Sequence, residues 1–174
     1  PAPLMPLVEV VSGRETAADV AATLAATARA WGKTPVHARS TPGFIVNRCA
    51  RPFYGEALLL LAERAADVAT LDAVMRDAGG FRMGPFELMD LIGIDVNLAV
   101  TESVFDATSG DPRYAPSFIQ RELVAAGHLG RKSGRGFHDY AAGAAPPAAA
   151  TEPACPPPSR VVVYGELGPA AALV

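Results

Sequence analysis

Two polar side chains stand in apolar company where packing alone would not put them. Asn47 lies near the end of the run Thr41-Pro-Gly-Phe-Ile-Val-Asn-Arg48, and Glu9 interrupts the apolar run from Leu4 to Val11. A buried amide left without partners costs about 1–3 kcal/mol. Asn47 therefore either bonds a neighbouring backbone group or faces a cleft and a ligand. Glu9 reads either as an exposed acid on an edge strand or as an acid that orients a histidine. In the second case the carboxylate holds one imidazole nitrogen, fixes the tautomer and stabilises the imidazolium as the other nitrogen takes a proton.

The elements that must position these groups follow from periodicity and punctuation. Leu4 to Val11 is extended and ends at Ser12-Gly13. Thr16 to Trp31 is helical, with Val20, Leu24, Thr27/Ala28 and Trp31 on one apolar stripe. That stripe makes Trp31 a core or interface residue. Thr34 to Arg39 reads as a short strand or extended linker. Gly43 to Arg64 forms a long helix that contains Pro52, and Phe44, Ile45 and Val46 bury at its start. Gly43 lets the backbone approach a neighbour closely. Leu58 to Leu61 present apolar groups all round, which calls for cover from a bundle or a second subunit. Asp67 caps the next helix, Pro85 opens another, Gly93 breaks the chain and Ser117 caps a further helix. Glu87 and Asp90 read as capping or surface acids, or as partners of Arg48 or Arg51. The glycine-rich, basic stretch from Gly127 to Gly136 reads as a tight turn, since the strand and helix of a phosphate loop are missing around it.

Composition narrows the classes. The 174 residues are half hydrophobic, with a formal charge of −3 and a pI near 5.6. There is no basic excess to attract nucleic acid. The longest apolar run, Ala57 to Ala62, is far short of the ~20 residues that span a bilayer. Cys49 and Cys155 sit in unlike surroundings, which suggests neither a disulfide nor a metal site and fits a reducing cytoplasm. The Pro-Ala-Pro opening and the abrupt end read as a piece of a longer protein.

Three phrases in order, Pro1-Ala-Pro-Leu-Met-Pro-Leu-Val-Glu9, Thr41 to Arg48 and Met83-Gly-Pro-Phe-Glu-Leu-Met-Asp90, resemble the C-terminal domain of the 3-hydroxyacyl-CoA dehydrogenases, from Pro1 to about Tyr140. The resemblance implies a mainly α chain: a helical bundle dimerisation domain of the 3-hydroxyacyl-CoA dehydrogenase / 6-phosphogluconate dehydrogenase C-terminal type, with a short extended N-terminal segment. It divides the chain into an extended segment leading from a missing Rossmann domain (1–12), the helical domain (13–140), an Ala/Pro-rich linker (141–159) and the start of a truncated Rossmann-like unit (160–174). The last unit is expected to open with a buried strand from Arg160. Its Gly165-x-x-Gly168 spacing is not the dinucleotide fingerprint.

For function, the resemblance implies an NAD-dependent L-3-hydroxyacyl-CoA dehydrogenase that is a homodimer and binds neither nucleic acid nor membrane. NAD, the catalytic histidine and a substrate-contacting serine belong to the missing N-terminal domain, so this piece alone is expected to be inactive. Glu9 matches the acid paired to that histidine, and Asn47 the amide that donates to the substrate oxygen. No metal is implied. Two other readings remain open: a non-catalytic helical dimerisation or binding module, and a related hydroxy-acid dehydrogenase that does not use CoA.

Overall fold

A computed structural model describes residues 3–144, 148–153, 155–157, 159–160, 162–166 and 168. The chain opens with a strand, a helix and a second strand. β1 (Leu7–Ser12) pairs in parallel with β2 (Thr34–Arg39), with Glu9 opposite Val36, and α1 (Ala18–Ala30) connects them. Parallel strands need such a crossover. α1 turns its alanines inward: Ala21, Ala25 and Ala28 are buried, and Ala21 and Ala25 pack with Val10 against Val8. Apart from Ala28, the expected stripe lies on the other side. Val20 and Leu24 are exposed and Trp31 is 72% exposed. A helix this close to two strands has room only for small side chains, so burial here followed size and not hydropathy.

From Val46 to Ala125 the chain is mainly helical. α2 (Val46–Ala62) runs through Pro52. α3 (Val68–Ala73) continues into a π-helical turn over Val74–Ala78. α4 (Pro85–Ile92) and α5 (Ile94–Ala107) meet at Gly93, and α6 (Phe118–Ala125) follows. The expected caps are in place: Asp67 accepts from Thr70 N at 2.8 Å and Ser117 from Ile119 N at 3.2 Å. The core joins Tyr54, Ala57 and Leu58 of α2, Leu71 of α3, and Phe86 and Met89 of α4. Only one face of α2 is covered in the single chain. Leu58 is buried, while Leu59 and Leu60 are exposed.

α4 starts in an unusual way. Its N-cap is Gly84, which has no side chain to offer the first amides. Asp72 supplies the cap from α3, accepting from Phe86 N at 2.8 Å and Glu87 N at 3.1 Å. A Cβ at Gly84 would overlap the Asp72 carboxylate. Gly84→Ala is therefore expected to destabilise the domain by about 3 kcal/mol, since a well-packed site cannot absorb an extra methyl cheaply. A lowered urea midpoint with unchanged slope would register it.

Of the segment after Tyr140, residues 148–153 and 155–157 have no regular structure, although Ala150 N donates to Thr70 Oγ1 at 2.8 Å. The buried strand expected from Arg160 does not form at residues 162–164, where Val162, Val163 and Tyr164 are exposed. Among the described residues no strand pairs with them to complete a ladder. Val161, Leu167 and Pro169–Val174 lie outside the described residues.

Candidate functional site

The start of α2 differs from the expected simple helix. Gly43 (φ 78°) and Phe44 (φ 42°) both take left-handed backbone, and the helix begins only at Val46. A Cβ at Gly43 would come within 3.0 Å of Arg48 N and of a Val104 methyl, so glycine is required there for closeness as well as for φ. Phe44 has no such licence and stores about 1–2 kcal/mol of backbone strain. The two left-handed residues turn the chain outward. As a result Phe44, Ile45 and Val46 are exposed, not buried as expected.

This turn brings the two predicted site residues together. Glu9, half-buried on β1, accepts from Ile45 N at 2.7 Å and Val46 N at 3.1 Å. Both bonds go to Oε1. The carboxylate thus caps α2 from another element, where its negative charge also suits the helix dipole. Asn47 is the very next residue after Val46. The edge-strand reading of Glu9 is true of its strand but omits this tie.

Asn47 belongs by spacing to the inward stripe of α2, which continues through Arg51, Tyr54 and Leu58. It sits at the exposed end of that stripe. Its side chain borders a cavity of about 460 Å³ lined also by Gly43, Phe44, Val96, Ala99, Val100 and Ser103. Its Oδ1 accepts from Arg51 Nη2 at 3.2 Å, and its backbone oxygen accepts from Arg51 Nε at 3.0 Å. Arginine can only donate, so the amide oxygen must face it. Nδ2, which has no partner among the described residues, is left to donate elsewhere. Sequence reasoning did not single out Arg51 for this task, although its i+4 position from Asn47 on a helix was the available signal.

A larger cavity, about 630 Å³, lies on the far side of α4 and is lined by Asp72, Arg76, Glu87, Arg131, His138 and Tyr140 among others. Most of its charges are paired with one another, while Arg131 lies over the Tyr140 ring at 5.5 Å. Glu87 pairs with Arg76 at 2.7 Å and accepts from Gly84 N at 3.0 Å. Glu87 and Asp90 therefore do not pair with Arg48 or Arg51. Asp90, almost fully buried, accepts from Phe137 N, His138 N and the Tyr140 hydroxyl. Burial first, and then the Asp90 charge, push the Tyr140 phenol up to about 12, so it remains a donor. The glycine-rich stretch is the turn that wraps this acid, as its composition suggested.

His138 Nε2 lies 2.7 Å from Asp72 Oδ2, a pair that no sequence spacing announced. The hydrogen bond to Asp72 is the main force holding the imidazolium pKa above its ordinary value, with burial opposing it. The folded pKa is the raised one. The pair's contribution is therefore complete below the unfolded value of about 6.5 and disappears as pH rises through the folded value. The stability gap between the wild type and His138→Ala should narrow on going from pH 6 to 9. A gap that widens with pH would contradict this.

Comparison with known proteins decides the family. Residues 43–140 match the 3-hydroxyacyl-CoA dehydrogenase C-terminal domain, and residues 1–41 match the NAD binding domain of the same enzymes. The chain belongs to the 3-hydroxyacyl-CoA dehydrogenase family. It is 56% identical to 3-hydroxyadipyl-CoA dehydrogenase of Escherichia coli over 82% of this chain and 30% of that protein. It is 42% identical to a probable 3-hydroxybutyryl-CoA dehydrogenase of Deinococcus radiodurans over 80% of this chain and 50% of that one. A crystal structure of 3-hydroxybutyryl-CoA dehydrogenase from Escherichia coli matches with a TM-score of 0.87 at 50% identity, covering 94% of this chain and 35% of that chain. The chain thus spans half or less of the length of these family members. The match over residues 1–41 takes in the whole β1–α1–β2 unit, whereas the sequence expectation began the helical domain at residue 13. Part of the NAD binding domain is therefore present in the chain. Among the described residues no group of His, Cys, Asp and Glu could hold a metal ion, and no helix is long and apolar enough to cross a membrane.

Proposed function

We propose that the full-length protein oxidises the 3-hydroxyl of a 3-hydroxyacyl-CoA to the ketone, and that this chain supplies two groups to that site, Glu9 and Asn47. The observation that carries the reading is the pair of hydrogen bonds from Ile45 N and Val46 N to Glu9 Oε1, which hold the acid at the start of the helix whose second residue, Asn47, borders the cavity. NAD, when bound, would supply the acceptor for the hydride that leaves C3. The residues present do not build its cradle. The turn between β1 and α1 holds a single glycine, Gly13, and no phosphate-binding fingerprint, so the nucleotide would be held by residues outside this chain.

What the chain's own residues do follows from their bonds. Glu9 Oε1 is committed to the helix start, which leaves Oε2 to accept from a histidine outside this chain. That histidine removes the hydroxyl proton, and Glu9 stabilises the resulting imidazolium. Asn47 Nδ2 donates to the substrate oxygen as C3–O becomes a carbonyl. The apolar wall of Val96, Ala99 and Val100 accommodates acyl carbon.

A homodimer completes the reading. Leu59 and Leu60 on α2 and Val74 on the π-helical turn lie exposed, and an apolar groove of about 380 Å³ runs between these elements. The exposed, unpaired Cys49 and Cys155 fit a reducing cytoplasm.

The test is acetoacetyl-CoA reduction with NADH by the full-length protein, with free 3-keto acids as the competing substrates. Replacement of Glu9 and of Asn47 should each slow thioester turnover. Unchanged turnover after both replacements would remove the site, and preference for the free acid would remove the CoA assignment.

A further inference from the structure

We infer that Arg51 is a positioning residue of this site: its guanidinium, buried behind Asn47, fixes the amide with Nδ2 facing the cavity and holds α5, the cavity's other wall, in register with it. The inference rests on the reading of Asn47 as the donor to substrate.

Arg51 is only 4% exposed. Among the described residues it forms no ion pair with any carboxylate. A buried cation without a counter-ion is costly unless its hydrogen bonds are nearly all made. Here they are. Nε and Nη2 form a fork on a single residue, at 3.0 Å to Asn47 O and 3.2 Å to Asn47 Oδ1. Nη1 reaches across to α5, at 3.2 Å to Asn97 O and 3.1 Å to Thr101 Oγ1. The Tyr54 ring lies 4.7 Å from the guanidinium carbon and covers its face. Four of the five N–H donors are thus committed, and a planar fork of this kind tolerates little rotation of what it holds.

Two consequences follow for the amide. Its oxygen cannot turn towards the cavity without leaving the guanidinium, so the side of Asn47 offered to the substrate is always the donor. The positive charge behind the oxygen also draws electron density through the amide and strengthens Nδ2–H as a donor to an oxygen that gains negative charge. On α5, Asn97 and Thr101 alternate with Val96, Val100 and Ser103, which line the cavity. The same guanidinium therefore sets both the amide and the spacing of the apolar wall.

A simpler role, tying two helices together, makes a different prediction. The two are separated by a double-mutant cycle in the full-length protein with Asn47→Ala, Arg51→Met and the double variant, read as kcat and kcat/KM for acetoacetyl-CoA reduction. Arg51→Met is expected to lower both by about 10²-fold, the scale of a misplaced catalytic group. On the Asn47→Ala background it should change them less than about threefold, because the amide it acts through is gone. Equal losses on both backgrounds would overturn the inference. So would an undiminished Arg51→Met enzyme in a protein where Asn47→Ala is slow. An Asn47→Ala enzyme at full speed would instead overturn the reading on which the inference rests, and the inference with it. Should Arg51→Met not fold, Thr101→Val releases one Nη1 bond and keeps the fork. It should slow the enzyme severalfold with Asn47 present and leave the Asn47→Ala enzyme unchanged, and a loss in both would overturn the inference.

Discussion

Asn47→Ala in the full-length protein is expected to lower kcat for acetoacetyl-CoA reduction by about 10²–10³-fold, the usual result of removing one donor aimed at a developing negative charge. The size of the effect depends on preorganisation. The Asn47 amide is held at Oδ1 and at its backbone oxygen by Arg51, and its helix is started by Glu9. Nothing in it has to move when the substrate arrives. Asn47→Asp should do no better than Ala, although it is nearly isosteric. A carboxylate has no N–H to give, and it would pair with Arg51 while facing an electron-rich oxygen. Glu9→Gln makes the informative contrast. A glutamine oxygen can still accept from Ile45 N and Val46 N, so α2 should start normally and the domain should keep its stability. The charge opposite the histidine is lost, so kcat should fall by about tenfold or more. A stable Glu9→Gln enzyme at full speed would reduce Glu9 to a helix cap.

The residues that could be read in advance share a property. Each acts close by in sequence, or carries a motif. Asp67 and Ser117 cap helices two or three residues away, and the spacing alone announces them. Glu9 and Asn47 stood out because polar groups interrupted apolar runs. Asp72, His138 and Gln120 could not be found this way. Asp72 and His138 meet across 66 positions, and Gln120 reaches Asn97 across 23. Their burial is decided by tertiary contacts that no local pattern encodes. The core reading of Trp31 and of the Val20–Leu24 stripe failed for another reason. The periodicity of α1 was real, but hydropathy pointed to its wrong face, because β1 and β2 admit only the small side chains of Ala21, Ala25 and Ala28. The family matches divide the chain between residues 41 and 43, where the sequence reading divided it at residue 12. Ser12-Gly13 ends a strand, and a strand end is not a domain end when a crossover helix follows.

Asp90→Ala is expected to release the segment from Phe137 to Tyr140 at a cost on the order of 4 kcal/mol, since it strands two backbone donors that no water reaches easily. Asp90 accepts from Phe137 N at 3.0 Å, His138 N at 2.9 Å and Tyr140 Oη at 3.0 Å. The return of this segment is what seats Phe137 on Phe86, at 4.8 Å between ring centroids, and what delivers His138 to Asp72. Loss of one acid therefore loosens the aromatic core and undoes the second acid's partner. Asp90→Asn should be nearly as damaging. Its NH2 would face N–H groups, and a Cβ-free Gly136 packs so close to the carboxylate that the side chain has no room to turn. The readout is local: amide exchange at Phe137 and His138 should speed up by about 10³-fold, while the amides of β1 and β2 keep their protection. Uniform loss of protection across both regions would mean that the helical bundle and the β1–α1–β2 unit unfold as one body, and that Asp90 holds the whole chain and not its C-terminal return alone.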